Sequence, residues 1–289
     1  MENQNKMHSE AVLTNSDLSE QIKAVTKDSH VRAENTELML SYQRGQINLP
    51  QYKLLLCSLY EIYQALEEEL DRNSEHPCVT PIYFPSELAR LESLKRDLEF
   101  FYGKDWKEML VVPAATKRYA HRLRQIGKDN PEYLVAHAYT RYLGDLSGGQ
   151  VLGRITQKSL GLKSGEEGLA FFSFPGVSSP NRFKQLYRGR MNGIELTEEE
   201  RTGVLGEAVL AFEFNIEVFD GLQKMLSETE NDNNTLQRHA THSKLDNGDR
   251  EVAKSLQIPA SLNNASPLFR MILGLCVALA TVGMGIYVF

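Results

Sequence analysis

Lys23, Lys27, His30 and Glu34 are spaced four, three and four. On a helix they project from one face. Charge stripes of this kind usually face solvent, and the imidazole amid the cations is the odd member. A second stretch, Tyr139–Gln150, reads Tyr-Thr-Arg-Tyr-Leu-Gly-Asp-Leu-Ser-Gly-Gly-Gln. Gly144 and Gly148 are four apart, so they clear one helical face of side chains, each costing about 1 kcal/mol relative to alanine. Tyr139, Arg141 and Asp145 border that face. A tight helix crossing or a loop would also account for the glycines. Leu-Ser-Gly-Gly-Gln is also the signature peptide of transport ATPases, which need a Gly-x-x-x-x-Gly-Lys-Ser/Thr phosphate loop. The chain has none: Gly103-Lys104 precedes Asp105, and Gly127-Lys128 precedes Asp129. A third group, Lys184 and Arg188, is again four apart.

A flat, anionic, iron-bearing group accounts for all three features. Heme is a planar disc with two carboxylates on one edge, and a neutral imidazole is a good fifth ligand for its iron. Glycine backbone can approach the other face closely and leave room for a small ligand. Lysine and arginine can pair with the propionates. Glu34, one turn after His30, can accept the second ring proton. His137 competes for the ligand role, because it lies on the glycine-bearing helix, although about 10 Å along the axis from Gly144.

The elements that must position these groups read as helices throughout, with no useful period-two alternation between residues 16 and 226. Asp17 with Glu20 resembles a capping box opening the first helix. Asn48–Pro50 opens a dense apolar helix to about Asn73. Pro85 or Ser86 opens a third that stops at Gly103. Pro113 and Gly127 bracket a fourth, whose Lys117, Arg118, Arg122 and Arg124 form either a solvated face or a docking surface for an acidic partner. Pro131 begins the glycine-bearing helix, which runs to Gly161. Phe171, Phe172 and Phe174 plug the core under a loop. Thr197 with Glu200 caps the last domain helix, expected to end near Leu226 and carrying Phe212, Asn215 and Phe219 at helical spacing.

The chain has 289 residues and a net charge of −6, which argues against nucleic acid as a partner. Cys57, Cys78 and Cys276 show no metal or redox spacing. We divide the chain into a disordered segment 1–15, a helical domain 16–226, a flexible linker 227–266 and an anchor 267–289. Met271–Phe289 is an uncharged, mainly apolar run of 19 residues preceded by Arg270. It spans roughly 28 Å, about one bilayer core. The expectation is a C-terminal tail anchor with the bulk of the chain in the cytosol.

Tyr139–Gln150, preceded by Leu134-Val135-Ala136-His137-Ala138, closely resembles the signature of heme oxygenase. The resemblance extends to Lys23–Glu34, Phe171–Pro175, Phe183–Arg188 and the apolar tail. It implies an all-α multi-helix bundle with heme b, both substrate and cofactor, between a proximal and a distal helix. It implies His30 as axial ligand with Glu34 behind it, Gly144 and Gly148 over the distal face, and Asp145 ordering distal water. Lys23, Tyr139, Lys184 and Arg188 map to the heme edge, with Lys27 adding positive charge and Phe212 a further heme contact. Tyr63, Tyr119, Arg141 and Asn215 match the distal hydrogen-bond network. No cysteine precedes a proline, so the chain looks like the inducible vertebrate type. The implied activity consumes dioxygen, with electrons from NADPH through the cytochrome reductase of the endoplasmic reticulum membrane, and yields biliverdin, carbon monoxide and ferrous iron. Biliverdin reductase would act downstream. The alternatives are a heme-binding sensor or carrier without chemistry, and a tail-anchored adaptor without cofactor.

Overall fold

The computed structural model describes residues 16–163 and 167–244, with side chains as far as 228. Every regular element among the described residues is helical. In chain order these are α1 (Leu18–Val25), α2 (Lys27–Glu34), α3 (Glu37–Gln43), α4 (Leu49–Arg72), α5 (Pro85–Leu88), α6 (Leu91–Tyr102), α7 (Ala114–Asp129), α8 (Leu134–Gly144), α9 (Gln150–Leu160), α10 (Pro180–Asn192) and α11 (Glu198–Lys244). Contacts divide the chain into residues 1–227 and 228–289. The candidate site lies wholly in the first unit.

α4 is the central element, as its apolar density predicts. Asn48 and Gln51 form a reciprocal capping box at its start. Leu55, Leu56, Leu59, Tyr60, Ile62, Tyr63 and Leu66 are all buried. It packs chiefly against α7 and α6. Thr197 and Glu200 cap α11 reciprocally, as expected. Phe171, Phe172 and Phe174 are buried, and their loop is tied down from two sides. Asp97 accepts Ala170 N and Phe171 N, both at 2.8 Å. The buried Arg90 guanidinium donates to the carbonyls of Leu88, Phe171 and Ser173.

Several helix boundaries differ from the sequence expectation. Asp17 is the first N-cap, but its side chain makes no capping bond; its carbonyl accepts Glu20 N and Gln21 N instead. The first helix is broken at Thr26, whose hydroxyl bonds back to Ile22 O at 2.8 Å. The third helix divides at Ala89–Arg90. Glu67 of α4 accepts Arg90 N at 2.5 Å and Leu91 N at 3.1 Å, so a residue distant in sequence caps α6. Gly127 does not end α7, because the helix runs on to Asp129. A Cβ there would stand 2.4 Å from the Glu69 carboxylate, so this glycine serves packing. α11 continues to Lys244, past Leu226, since no proline or glycine interrupts residues 227–244. Residues 1–15 and the apolar run Met271–Phe289 lie outside the described residues. Among the described residues no helix is long and apolar enough to cross a membrane.

Candidate active site

The glycine-bearing stretch is a helix with a defect. α8 ends at Gly144, Asp145–Gly149 form one π-helical turn, and α9 resumes at Gln150. Such π-turns insert a residue into the helical ladder and re-aim the side chains beside it. A Cβ built at Gly144 or Gly148 would meet no atom within 4 Å. Both glycines therefore face open space, which excludes the helix-crossing explanation. Gly149 and Gly153 behave differently. A Cβ at Gly149 would stand 3.5 Å from Asp145, and one at Gly153 only 2.9 Å from the Phe172 ring.

Asp145 is joined to the network expected of it. Its Oδ2 accepts from the Tyr63 hydroxyl. The Arg141 guanidinium lies 5.0 Å from the Tyr63 ring centroid and donates to Asn215 Oδ1 at 2.5 Å. Asn215 is held in turn by its own bond to Ala211 O at 2.7 Å. Burial pushes the Asp145 carboxyl up, opposed by Arg141, Tyr63 and Arg90, and burial wins. Burial also lifts Tyr63 well above the usual phenol range, with the Asp145 charge adding to it, so Tyr63 remains a donor.

His137 has partners on both ring nitrogens. It is completely buried. Nδ1 lies 3.1 Å from the Tyr119 hydroxyl and Nε2 lies 2.9 Å from Glu207 Oε1. Burial holds this imidazole neutral against the pull of Glu207. One tautomer satisfies the geometry: Nε2–H donates to Glu207 and Nδ1 accepts from Tyr119. Arg122 grips Glu207 bidentately, at 3.0 and 2.7 Å. Burial alone would raise Glu207, but His137 and Arg122 depress it to about 2. With His137 neutral, its Nε2–H bond and the Arg122 fork together carry that depression. Tyr119 therefore meets His137 directly and Asp145 only through the field of the network. Glu207 was not singled out from the sequence, and Arg122 was read only as part of the basic stripe of α7. The available signal was a glutamate on the same face as Val204, Ala208 and Ala211, which are all core residues.

His30 has the opposite surroundings. Its side chain is 42% exposed. Nδ1 lies 3.6 Å from Glu34 Oε1, close but beyond hydrogen-bond length. The Phe212 ring packs against the imidazole, centroids 5.4 Å apart and tilted by 59°. Nε2 is left for a ligand role. Phe212 and Asn215 are three apart on α11, so one helix supports both His30 and the Arg141 network.

The remaining expected residues fall on the same elements. Lys184 of α10 donates to Ser147 Oγ at 3.1 Å, and Arg188 Nε reaches the Tyr139 hydroxyl at 3.5 Å. Burial, then the neighbouring Arg188, lowers the Lys184 ammonium. Ser147 was not anticipated as its partner. The break at Thr26 puts Lys23 on α1 and Lys27, His30 and Glu34 on α2, so the four do not form one stripe of a single helix as expected. Lys23 pairs with Glu20 at 3.6 Å, and Lys27 opens α2 at the surface. The basic stripe of α7 is largely neutralised: Arg118 pairs with Glu217, Arg122 with Glu207, and Arg124 with Glu61 and Glu68.

These residues fit a flat iron-bearing macrocycle. The glycine face is a cradle that any side chain would fill. Arg141 Nε, Thr140 Oγ1 and the Tyr187 hydroxyl are buried with no protein partner. Each leaves room for a further hydrogen-bond partner such as water. A family model described as heme oxygenase matches residues 16–221.

The chain belongs to the heme oxygenase family.

A heme oxygenase of Takifugu rubripes is 66% identical over 274 residues, covering 95% of each chain. Heme oxygenase 1 of Bos taurus is 49% identical, covering 94% of this chain and 95% of its own. Among solved structures, a heme oxygenase-1 from the cyanobacterium Synechocystis in complex with heme superposes with a TM-score of 0.70. It is 38% identical and covers 75% of this chain and 96% of its own. The all-helical architecture is thus that of heme oxygenases.

Proposed function

We propose that this chain holds heme between α2 and the glycine face of α8–α9, with His30 Nε2 as the axial ligand. The reaction is the oxygen-dependent opening of heme to biliverdin, carbon monoxide and ferrous iron. Bound heme supplies the iron that activates dioxygen and the meso carbon that is oxidised. Everything else falls to the side chains. Glu34, 3.6 Å from Nδ1, favours a proton on that nitrogen and so leaves Nε2 for the iron. Gly144 and Gly148 admit a small ligand and exclude a large one. Tyr63 occupies Asp145 Oδ2, leaving Oδ1 to hold a pocket water through which a proton moves. Arg141, pinned by Asn215, keeps that carboxylate oriented. Lys184 and Arg188, with Lys23, Lys27 and Tyr139, pair with the carboxylates at the heme edge and so set its rotation. Phe212 supports the axial imidazole.

The observation that carries this reading is the open glycine face beside an Asp145 already fixed by Tyr63. The chain holds no nucleotide-binding fingerprint of its own, so electrons come from a partner. We assign that role to the NADPH–cytochrome reductase of the endoplasmic reticulum membrane, and further processing of the product to biliverdin reductase. Met271–Phe289 serves as the membrane anchor with residues 16–226 in the cytosol, and residence on one surface raises the effective concentration of the two redox partners.

The test is an absorption spectrum of the full chain with stoichiometric hemin, followed through addition of reductase, NADPH and oxygen. Loss of the Soret band with growth of a biliverdin band is expected. A stable Soret band under active reductase would make the protein a carrier and remove the catalytic role of Asp145.

A further inference from the structure

We infer that Glu213 is a positioning residue for the axial ligand, clamping the helix that bears His30 onto α11. The inference rests on the heme reading above.

α2 has little to hold it in place. It is eight residues long, and its buried residues are only Ser29 and Ala33. Two small side chains cannot define a helix register by apolar packing. The register comes from a polar junction instead. The buried Ser29 hydroxyl donates to Glu213 Oε1 at 3.1 Å. Arg32 Nη2 donates to the same oxygen and also reaches Ser29 Oγ at 3.3 Å. Ser29 and His30 are consecutive on α2, and Glu213 and Phe212 are consecutive on α11. Phe212 holds the imidazole ring while Glu213 holds the backbone that carries it. Two adjacent pairs crossing in this way fix both rotation and translation of α2.

The Arg32–Glu213 ion pair would contribute little by itself, because the Arg32 side chain is 56% exposed. The Ser29 bond gives the junction its direction, because the serine is short-armed and itself buried, while Glu213 is partly exposed. Arg32 neutralises Glu213, so the influence on His30 is geometric rather than electrostatic. Asn215, two residues further on α11, anchors Arg141 of the distal network. Glu213 thereby ties the proximal ligand to the helix that also braces the distal side, and sets the spacing of the slot.

The full chain is loaded with hemin, and two quantities are read. One is the rate of heme transfer to excess apomyoglobin. The other is the iron–histidine stretching band of the reduced complex by resonance Raman. Glu213→Leu and Ser29→Ala should each release heme up to roughly tenfold faster, the scale of one lost hydrogen bond to a charged group. Each should also broaden and lower the stretching band. Their effects should not add, since both break one contact. Glu213→Gln keeps the Ser29 acceptor and should restore both readouts to near the parent values. Ser29→Ala carries the test if Glu213→Leu does not fold. Unchanged release and band in both variants, or additive effects, would overturn the proposal. His30→Ala is measured alongside. A normal band there removes the axial assignment and this proposal together. A lost band there, with Glu213→Leu and Ser29→Ala both like the parent, removes the role of Glu213 alone.

Discussion

Burial pushes the Asp145 carboxyl above its ordinary range, and Arg141 and Tyr63 pull it back only in part. A carboxyl so placed is suited to passing a proton through a held water. Asp145→Ala should leave heme bound but lower the biliverdin yield at least tenfold, about 1.4 kcal/mol or more in barrier. Product analysis under turnover checks this, and an undiminished yield would refute it. Glu67 gives a second prediction at this scale. Burial drives it up to about 7 from 4.5, against the pull of Arg90 N and Leu91 N. Between those two pH values the folded chain keeps a proton that the unfolded chain releases. Stability therefore falls as pH rises through that window, by up to about 3 kcal/mol, and is level on either side. Glu67→Gln cannot titrate, so its urea midpoint should lack this slope. Glu207 has the opposite sign. Held at about 2, it contributes stability that is complete above its usual 4.5 and is lost progressively as pH falls from there to about 2.

α8, the π-turn and α9 form one functional element in which the glycines do two jobs. Gly144 faces open space, so Gly144→Ala meets nothing and gains helix propensity. The heme-free protein should be unchanged or stabilised by up to about 1 kcal/mol. Its heme affinity should fall, because the methyl group occupies the cradle. Gly153→Ala should behave conversely, since its Cβ would stand 2.9 Å from Phe172. It should destabilise the heme-free protein by about 1–3 kcal/mol and affect heme only through that loss. Thermal melts of both variants with and without hemin separate the two roles. A destabilised Gly144→Ala without hemin would show that its face is packed after all.

For the whole molecule, the site and the proposed anchor belong to separate stretches of chain. Removing residues 267–289 should move the protein from the membrane pellet to the supernatant after carbonate extraction. Hemin binding should persist, because every residue assigned to the site lies between 23 and 215. Turnover at dilute reductase should drop several-fold while turnover at saturating reductase holds, as expected when co-anchoring acts through effective concentration. A truncated chain that stays in the pellet would assign membrane attachment elsewhere.

The sequence by itself determined the helical class, the caps of α4 and α11, the glycine face and the helical spacing of Lys27, His30 and Glu34 and of Lys184 and Arg188. These are local properties, written in residue spacing within one turn or two. It left His30 and His137 both open on spacing alone. Only tertiary structure distinguishes them, because the partners that occupy His137, Tyr119 and Glu207, come from α7 and α11. The same reason hid the cap of α6, which is supplied by Glu67 of α4, and the packing role of Gly127, which depends on Glu69 across the bundle. It also hid the junction of Ser29 with Glu213, 184 residues apart. Periodicity shows which face of a helix is unusual. Which side chain meets it is set by how the helices cross, and spacing along one helix does not encode that.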